Sequence, residues 1–127
     1  AAKGCELWLD GGHNPAAGLA LAEALERLAP HPLVLVCGML NTKDVQGYLR
    51  PLAARARALH AVSIPGEAAT LPADETARIA RTAGFGEAAP AESPAAAVAD
   101  LAQSFAGARI LICGSLYLAG RVLAENG

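Results

Sequence analysis

The sequence predicts an α/β fold, a mostly parallel sheet with helices on both faces, and three observations predict it. Short apolar runs alternate with longer segments of helical periodicity along the chain. One of those runs, "LVLVC" at Leu33–Cys37, is continuously apolar, as strands buried on both faces of a parallel sheet are, and "RILIC" at Arg109–Cys113 is apolar after its arginine. The 127 residues are 54% hydrophobic and 17% charged, enough apolar material for one domain with a real core and too little charge for disorder. Aromatic residues are only 4%, so that core is built from Ala, Leu, Val and Ile.

Cys5–Leu9 reads as the first strand. Asn14 then offers a helix N-cap, and Pro15 takes the first helical position, where its missing N–H costs nothing. Ala16–Ala29 continues as a helix with Leu19, Leu21, Ala22, Leu25 and Leu28 on its apolar face, and Pro30 and Pro32 stop it. After the strand Leu33–Cys37, Gly38–Lys43 is a loop and Asp44 caps a helix running to Ala58. Leu59–Ile64 is a third strand, ended by Pro65-Gly66. Pro72–Ala83 is a third helix with Gly84 as its C-cap. Gly86–Ala89 is a short, weak strand, and Ser93-Pro94 opens a fourth helix to Ala106. Arg109–Cys113 is the last strand, and Ser115 starts a final helix toward Asn126.

The net charge of −2, with no basic stripe, speaks against nucleic acid and anionic membrane surfaces as partners. No apolar run approaches the roughly 20 residues that span a bilayer, and no signal peptide is visible, so the expected place is the cytoplasm. The three cysteines, in strand-like contexts, read as buried thiols of a reducing compartment. His13, His31 and His60 lack metal-ligand spacing, so no metal site is expected. The chain starts at Ala1 without Met, as a processed protein or a piece of a longer one would.

Three predicted strands break into glycine at their carboxyl ends, in "LWLDGG", "LVCGML" and "LICGSL". A parallel sheet places those ends on one edge, where open α/β sheets bind ligands and where glycine lets a ligand approach the backbone. Asp10, His13, Asn14, Lys43, Asp44 and Ser115 are thereby expected to converge. Each also has a structural reading: Asp10 as a turn or helix-terminus carboxylate, His13 as a loop residue, Asn14 and Ser115 as caps, Lys43 as a solvated charge. The chain has no G-x-x-x-x-G-K-[ST] phosphate loop, no G-x-G-x-x-G fingerprint and no G-x-S-x-G elbow.

"LDGGHNPAAGLALAEAL" resembles the Asp-Gly-Ala-His-Asn-Pro segment that opens the C-terminal domain of folylpolyglutamate synthases and bifunctional dihydrofolate synthases, members of the Mur ligase superfamily. "CGMLNTKD" resembles that family's Gly-x-x-x-Asp-Lys-Asp loop, and "GSLYLAGRVL" its closing Gly-Ser-Leu-Tyr-x-x-Gly segment. Gly12 replaces the family's usual Ala, and Thr42 stands where Asp is frequent. The resemblance implies a Rossmann-like Mur ligase C-terminal domain over residues 1–127, monomeric, working with an N-terminal ATPase domain of the same polypeptide that lies outside this chain. It implies ATP and magnesium as cofactors, with the phosphate loop and metal ligands in that other domain, and L-glutamate with dihydropteroate or folate as substrates. ATP would phosphorylate a pterin-side carboxylate, and the amine of L-glutamate would displace phosphate. Carried over by position, Asp10, Gly11, Gly12 and His13 would contact ATP, with His13 also catalytic, and Lys43 and Ser115 would contact L-glutamate. The chain alone is then expected to be inactive. A peptidoglycan-precursor ligase is the alternative within the superfamily, opposed by the "GSLYLAG" ending, and a stand-alone flavodoxin-like binding module is the alternative outside it.

Overall fold

A computed structural model describes residues 5–28, 31–115, 118–120 and 122. Among the described residues these elements follow in order: β1 Glu6–Leu9, α1 Pro15–Glu26, β2 Leu33–Cys37, α2 Val45–Ala53, β3 Ala58–Ala61, α3 Ala73–Ala83, β4 Ala88–Pro90, α4 Pro94–Ser104 and β5 Arg109–Cys113. The strands form one five-stranded sheet in the order β1-β5-β2-β3-β4. Every pairing is parallel, with Leu9 opposite Ile112, Cys37 opposite both Cys113 and Ala61, and Ala61 opposite Pro90.

The sheet separates two cores, because successive residues of a strand point to opposite faces. On one face Leu33, Leu35, Cys37, Leu59, Leu111 and Cys113 meet Ala22 of α1, Tyr48, Leu49 and Leu52 of α2, and Ala77 and Ala80 of α3. On the other, Val34, Val36, Ile110 and Ile112 meet Ala97 and Leu101 of α4 together with Leu118 and Val122. β2 and β5 are buried along their whole length, β2 as an unbroken apolar run and β5 as Ile110–Cys113 behind the buried, Glu6-paired Arg109. β1 lies at the edge, with Leu7, Trp8 and Leu9 all more than a third exposed.

The caps are where the sequence places them. Asn14, Asp44 and Ser93 accept backbone N–H bonds from Ala17, Gly47 and Ala96 at 2.8, 2.9 and 3.1 Å. Gly84 ends α3 at φ 119°, a conformation that favours glycine. α3 has no side-chain cap of its own; Ser63 Oγ accepts from Ala73 N at 3.2 Å instead.

Several boundaries differ from expectation. α2 ends at Ala53, not Ala58, since Pro51 removes one helical donor and Arg57 N has already joined the sheet by donating to Leu33 O at 2.8 Å. β3 therefore starts at Ala58 and stops at Ala61, short of the expected Ile64. Val62 N still reaches Cys37 O, after which Ile64 N turns to the hydroxyl of Thr70 at 2.7 Å. α1 closes at Glu26 with tighter turns at Arg27 and Leu28, and α4 closes at Ser104 ahead of Gly107, whose φ is 72°. β4 is displaced to Ala88–Pro90, with its proline on a sheet edge. Cys5 lies just before β1 and is half-buried, whereas Cys37 and Cys113 are fully buried. Of the final helix, 118–120 and 122 are helical, and the rest of that expectation lies outside the described residues. Among the described residues, no helix is long and apolar enough to cross a membrane.

Candidate functional site

All five strands point the same way, so the loops after β1, β2 and β5 share one edge. From β1 and β2 the chain passes to helices on one face, α1 and α2. From β5 it passes to Leu118 and Val122 on the other. Neighbouring loops that leave in opposite directions open a crevice over β5, the place where open α/β sheets take ligands.

Asp10 is the first residue past β1 and is still tied to the ladder, its N donating to Ile112 O at 2.9 Å. Its carboxylate Oδ2 accepts from Gly12 N at 3.0 Å, which closes the turn, and from the Tyr48 hydroxyl at 3.1 Å. His13 follows at the mouth of α1, half-buried, with Nδ1 at 3.3 Å from Gly11 O. A carbonyl only accepts, so that contact selects the tautomer with the proton on Nδ1 and leaves Nε2 as the basic nitrogen. The corner thus presents a carboxylate, an imidazole and a helix N-terminus in six residues. Asn14 is occupied as the α1 cap, as its structural reading holds.

The loop after β2 is pinned by the segment after β3. Asn41 N donates to Ala69 O at 2.9 Å, Leu71 N to Met39 O at 2.8 Å, and Leu40 pairs antiparallel with Thr70. This brace holds Lys43, whose N turns back to Leu40 O at 3.3 Å. Lys43 is half-buried, and its ammonium makes no ion pair or hydrogen bond with the described residues. Asp44 is the α2 cap. A Cβ on Gly47 would stand 2.5 Å from Asp44 Oδ2 and 2.7 Å from Pro15 Cγ, so the first turns of α1 and α2 touch. Ser115, at the end of β5, is buried and starts a helical turn, its Oγ accepting from Leu118 N at 3.4 Å and its carbonyl from Ala119 N at 3.1 Å.

The six residues expected to converge do stand at one edge: Asp10, His13 and Asn14 after β1, Lys43 and Asp44 after β2, and Ser115 just past the end of β5 between them. Two of the glycines at this edge are also needed for the chain's own packing. A Cβ on Gly114 would meet Gly38 O and Met39 Sδ at 2.5 Å, and one on Gly12 would meet Ala17 Cβ and Asp10 Oδ2 at 2.8 Å. These glycines let the chain approach itself. Tyr48 escaped the sequence reading because it falls on the buried face of α2, where an aromatic residue reads as core. Nothing local signals that its hydroxyl reaches a carboxylate 38 residues away.

A shallow hollow of about 280 Å³ lies at the opposite edge, between Leu25, His31, Leu33, Arg55 and Arg109. Its arginines are already partnered, Arg55 with Glu26 and Arg109 with Glu6 at 3.0 Å, and His31 Nε2 lies 3.6 Å from the same Glu6 carboxylate. Hydrogen bonds from Arg109 and Trp8 hold the Glu6 carboxyl below its ordinary value. This hollow contains none of the candidate residues. Among the described residues, no group of three or more His, Cys, Asp or Glu could hold a metal ion. The described residues therefore supply no complete protein ligand set for a metal, and a magnesium ion held here would need ligands from ATP phosphates or from elsewhere.

Fold and topology define a parallel α/β domain whose candidate residues lie beyond the carboxyl ends of its strands. The model of the Mur ligase glutamate ligase domain matches residues 1–116, and the chain belongs to that family. It is 32% identical over 114 residues to the folylpolyglutamate synthase of Lacticaseibacillus casei, covering 90% of this chain and 25% of that protein. The structure of Mycobacterium tuberculosis folylpolyglutamate synthase complexed with ADP and AMPPCP superimposes with a TM-score of 0.84 at 27% identity, covering 95% of this chain and 29% of that one. The bifunctional folylpolyglutamate synthase/dihydrofolate synthase of Yersinia pestis, complexed with AMPPNP and Mn, gives 0.81 at 25% identity, over 94% and 28%. The chain thus spans between a quarter and a third of the length of these relatives.

Proposed function

We propose that this domain is the C-terminal part of a cytoplasmic, monomeric ATP-dependent ligase that adds L-glutamate to dihydropteroate, to folate polyglutamate tails, or to both. An N-terminal ATPase domain of the same polypeptide supplies the triphosphate cradle and the magnesium ligands. The observation that carries the reading is that α1 and α2, which follow the Asp10–His13 and Lys43–Asp44 corners, touch at Pro15 and Gly47 on one sheet edge, in a domain of this family.

The chemistry needs activation, because a carboxylate oxygen is a poor leaving group. One oxygen of the pterin-side carboxylate attacks the γ-phosphorus and ADP departs, leaving an acyl phosphate. The amine of L-glutamate then attacks the acyl carbon, phosphate leaves with the electron pair of the C–O bond, and the amine loses its proton. Positioning and charge stabilisation do most of the work in such transfers.

Asp10 accepts hydrogen bonds from nucleotide hydroxyls, a role that suits a fixed carboxylate and not the phosphates, which it would repel. Gly11 and Gly12 present backbone to the nucleotide. His13 stands nearest the transferring group, with Nε2 as the atom that bonds or takes a proton. Lys43 offers an ammonium, unpaired among the described residues, to a carboxylate of L-glutamate. Ser115 is the second glutamate contact; it has the right chemistry, but its hydroxyl is also engaged as a cap.

The test is phosphate release by the full-length polypeptide with ATP, magnesium, L-glutamate and either dihydropteroate or a reduced folate. Turnover that requires both a pterin acid and L-glutamate is the expected result, and activity on nucleotide-linked peptidoglycan precursors would overturn the reading. His13→Ala should lower kcat by about 10²-fold or more, the scale of a positioned proton-transfer group, with little change in Tm. His13 belongs to neither core, so its loss leaves no buried cavity.

A further inference from the structure

We propose that Tyr48 is a positioning residue for the nucleotide site: its hydroxyl fixes the Asp10 carboxylate and ties α2 to the Asp10–Gly18 corner. The proposal rests on the reading of Asp10 as a nucleotide contact.

Four contacts make Tyr48 the hub of that corner. Its hydroxyl donates to Asp10 Oδ2 at 3.1 Å. Its ring lies against Gly12, where an added Cβ would be 3.6 Å from Tyr48 Cε1. Its backbone carbonyl is so near α1 that a Cβ on Gly18 would stand 2.2 Å from the oxygen. Below it lie Cys37 and Cys113, opposite each other on β2 and β5.

The bonding at Asp10 is one-sided. Gly12 N and the Tyr48 hydroxyl both fall on Oδ2, and among the described residues no hydrogen bond falls on Oδ1. Two donors on one oxygen fix the plane of the carboxylate and leave the other oxygen for a ligand hydroxyl. A hydroxyl bound to a charged acceptor is worth about twice a neutral bond, and the fully buried ring keeps it in place. Burial, with smaller contributions from Cys113, Cys37 and Asp10, pushes the Tyr48 phenol well up, so it donates throughout the working pH range. Phe at this position would keep the ring and lose the bond. Lys43 stands five residues earlier, on the loop that Asp44 ends, so Tyr48 also sets the distance between the nucleotide corner and the amino-acid corner.

In the full-length polypeptide, Tyr48→Phe should raise KM for ATP about tenfold while KM for L-glutamate stays within about twofold, a difference of roughly 1.4 kcal/mol in nucleotide binding. Asp10→Asn should raise KM for ATP as well, and the double variant should be no worse than Asp10→Asn alone, because Tyr48 acts through Asp10. A Tyr48→Phe enzyme whose two KM values move together, or whose only change is a lower Tm, would overturn the proposal and leave the Asp10 reading standing. An unchanged KM in Asp10→Asn would overturn both. Should Tyr48→Phe fail to fold, the Raman tyrosine doublet of the 127-residue chain decides, measured in a Tyr117→Phe background because the chain has two tyrosines. Asp10→Ala should shift the doublet away from its donor ratio, and no shift would show that the hydroxyl does not hold Asp10.

Discussion

Tyr48 and Cys113 are weak acids kept from water side by side. Burial raises the phenol, and the Cys113 thiol is raised first by its hydrogen bond with Cys37 and then by burial. Their unfolded values are ordinary, 10.0 for the phenol and 9.0 for the thiol. Above about pH 9 the unfolded chain therefore gives up protons that the folded chain keeps. It then binds fewer protons than the native state, so stability falls as pH rises. The slope approaches about 1.4 kcal/mol per pH unit for each group once its unfolded form is ionised. Urea midpoints from pH 8 to 11 should decline from about pH 9, and Cys113→Ala should flatten the first part of the decline. A flat profile to pH 11 would mean that neither group is shielded. Residues acting on their own neighbours were legible in the sequence: Asn14, Asp44 and Ser93 cap because their oxygens reach N–H groups three residues on. The bond between Tyr48 and Asp10 was not, since its direction depends on how α2 lies across the sheet.

Helix α1 lies on α2 at Gly18, and the contact between these elements is close enough to test. Gly→Ala inside a helix ordinarily gains about 1 kcal/mol from propensity. At Gly18 the new methyl would meet Tyr48 O at 2.2 Å and its Cα at 3.2 Å, both backbone atoms that no rotamer can move aside. Overpacking of that kind costs about 1–3 kcal/mol or more, so Gly18→Ala should destabilise on balance. It should also raise KM for ATP, because α1 carries the Asp10–Asn14 corner at its start. Gly86→Ala is the control: nothing lies within 4 Å of its added Cβ, and its Tm should change little. Equal Tm values for the two variants would mean that α1 and α2 are farther apart than described. At this scale the sequence was informative about which elements exist and less so about where they end. A continuous apolar run locates β2 to the residue, and the run Ile110–Cys113 locates β5 to within its first residue. The α2–β3 boundary was misread because "AARARALHA" suits a helix locally, while pairing with β2 draws Arg57 and Ala58 into the sheet.

For the whole molecule, the order β1-β5-β2-β3-β4 determines what the chain can do by itself. Inserting β5 between β1 and β2 opens the crevice, and no periodicity in the sequence announces that insertion; the motif resemblance carried the expectation instead. The crevice has Asp10, His13 and Lys43 along it, and it has no phosphate-loop motif and, among the described residues, no metal cluster. Water reaches both corners, and at high dielectric two unit charges 4 Å apart attract by only about 1 kcal/mol. Binding of ATP or L-glutamate by the 127-residue polypeptide should therefore be weak, on the order of millimolar, or about −4 kcal/mol. Calorimetric titration with each ligand checks this. Catalysis should be absent: an assay with ATP, magnesium, L-glutamate and dihydropteroate should release phosphate at the uncatalysed background rate, because the transferring group meets no preorganised charge on its far side. Turnover at roughly 1 per second, an ordinary enzymatic rate, would show that the site is complete within these residues and that no second domain is needed to build it.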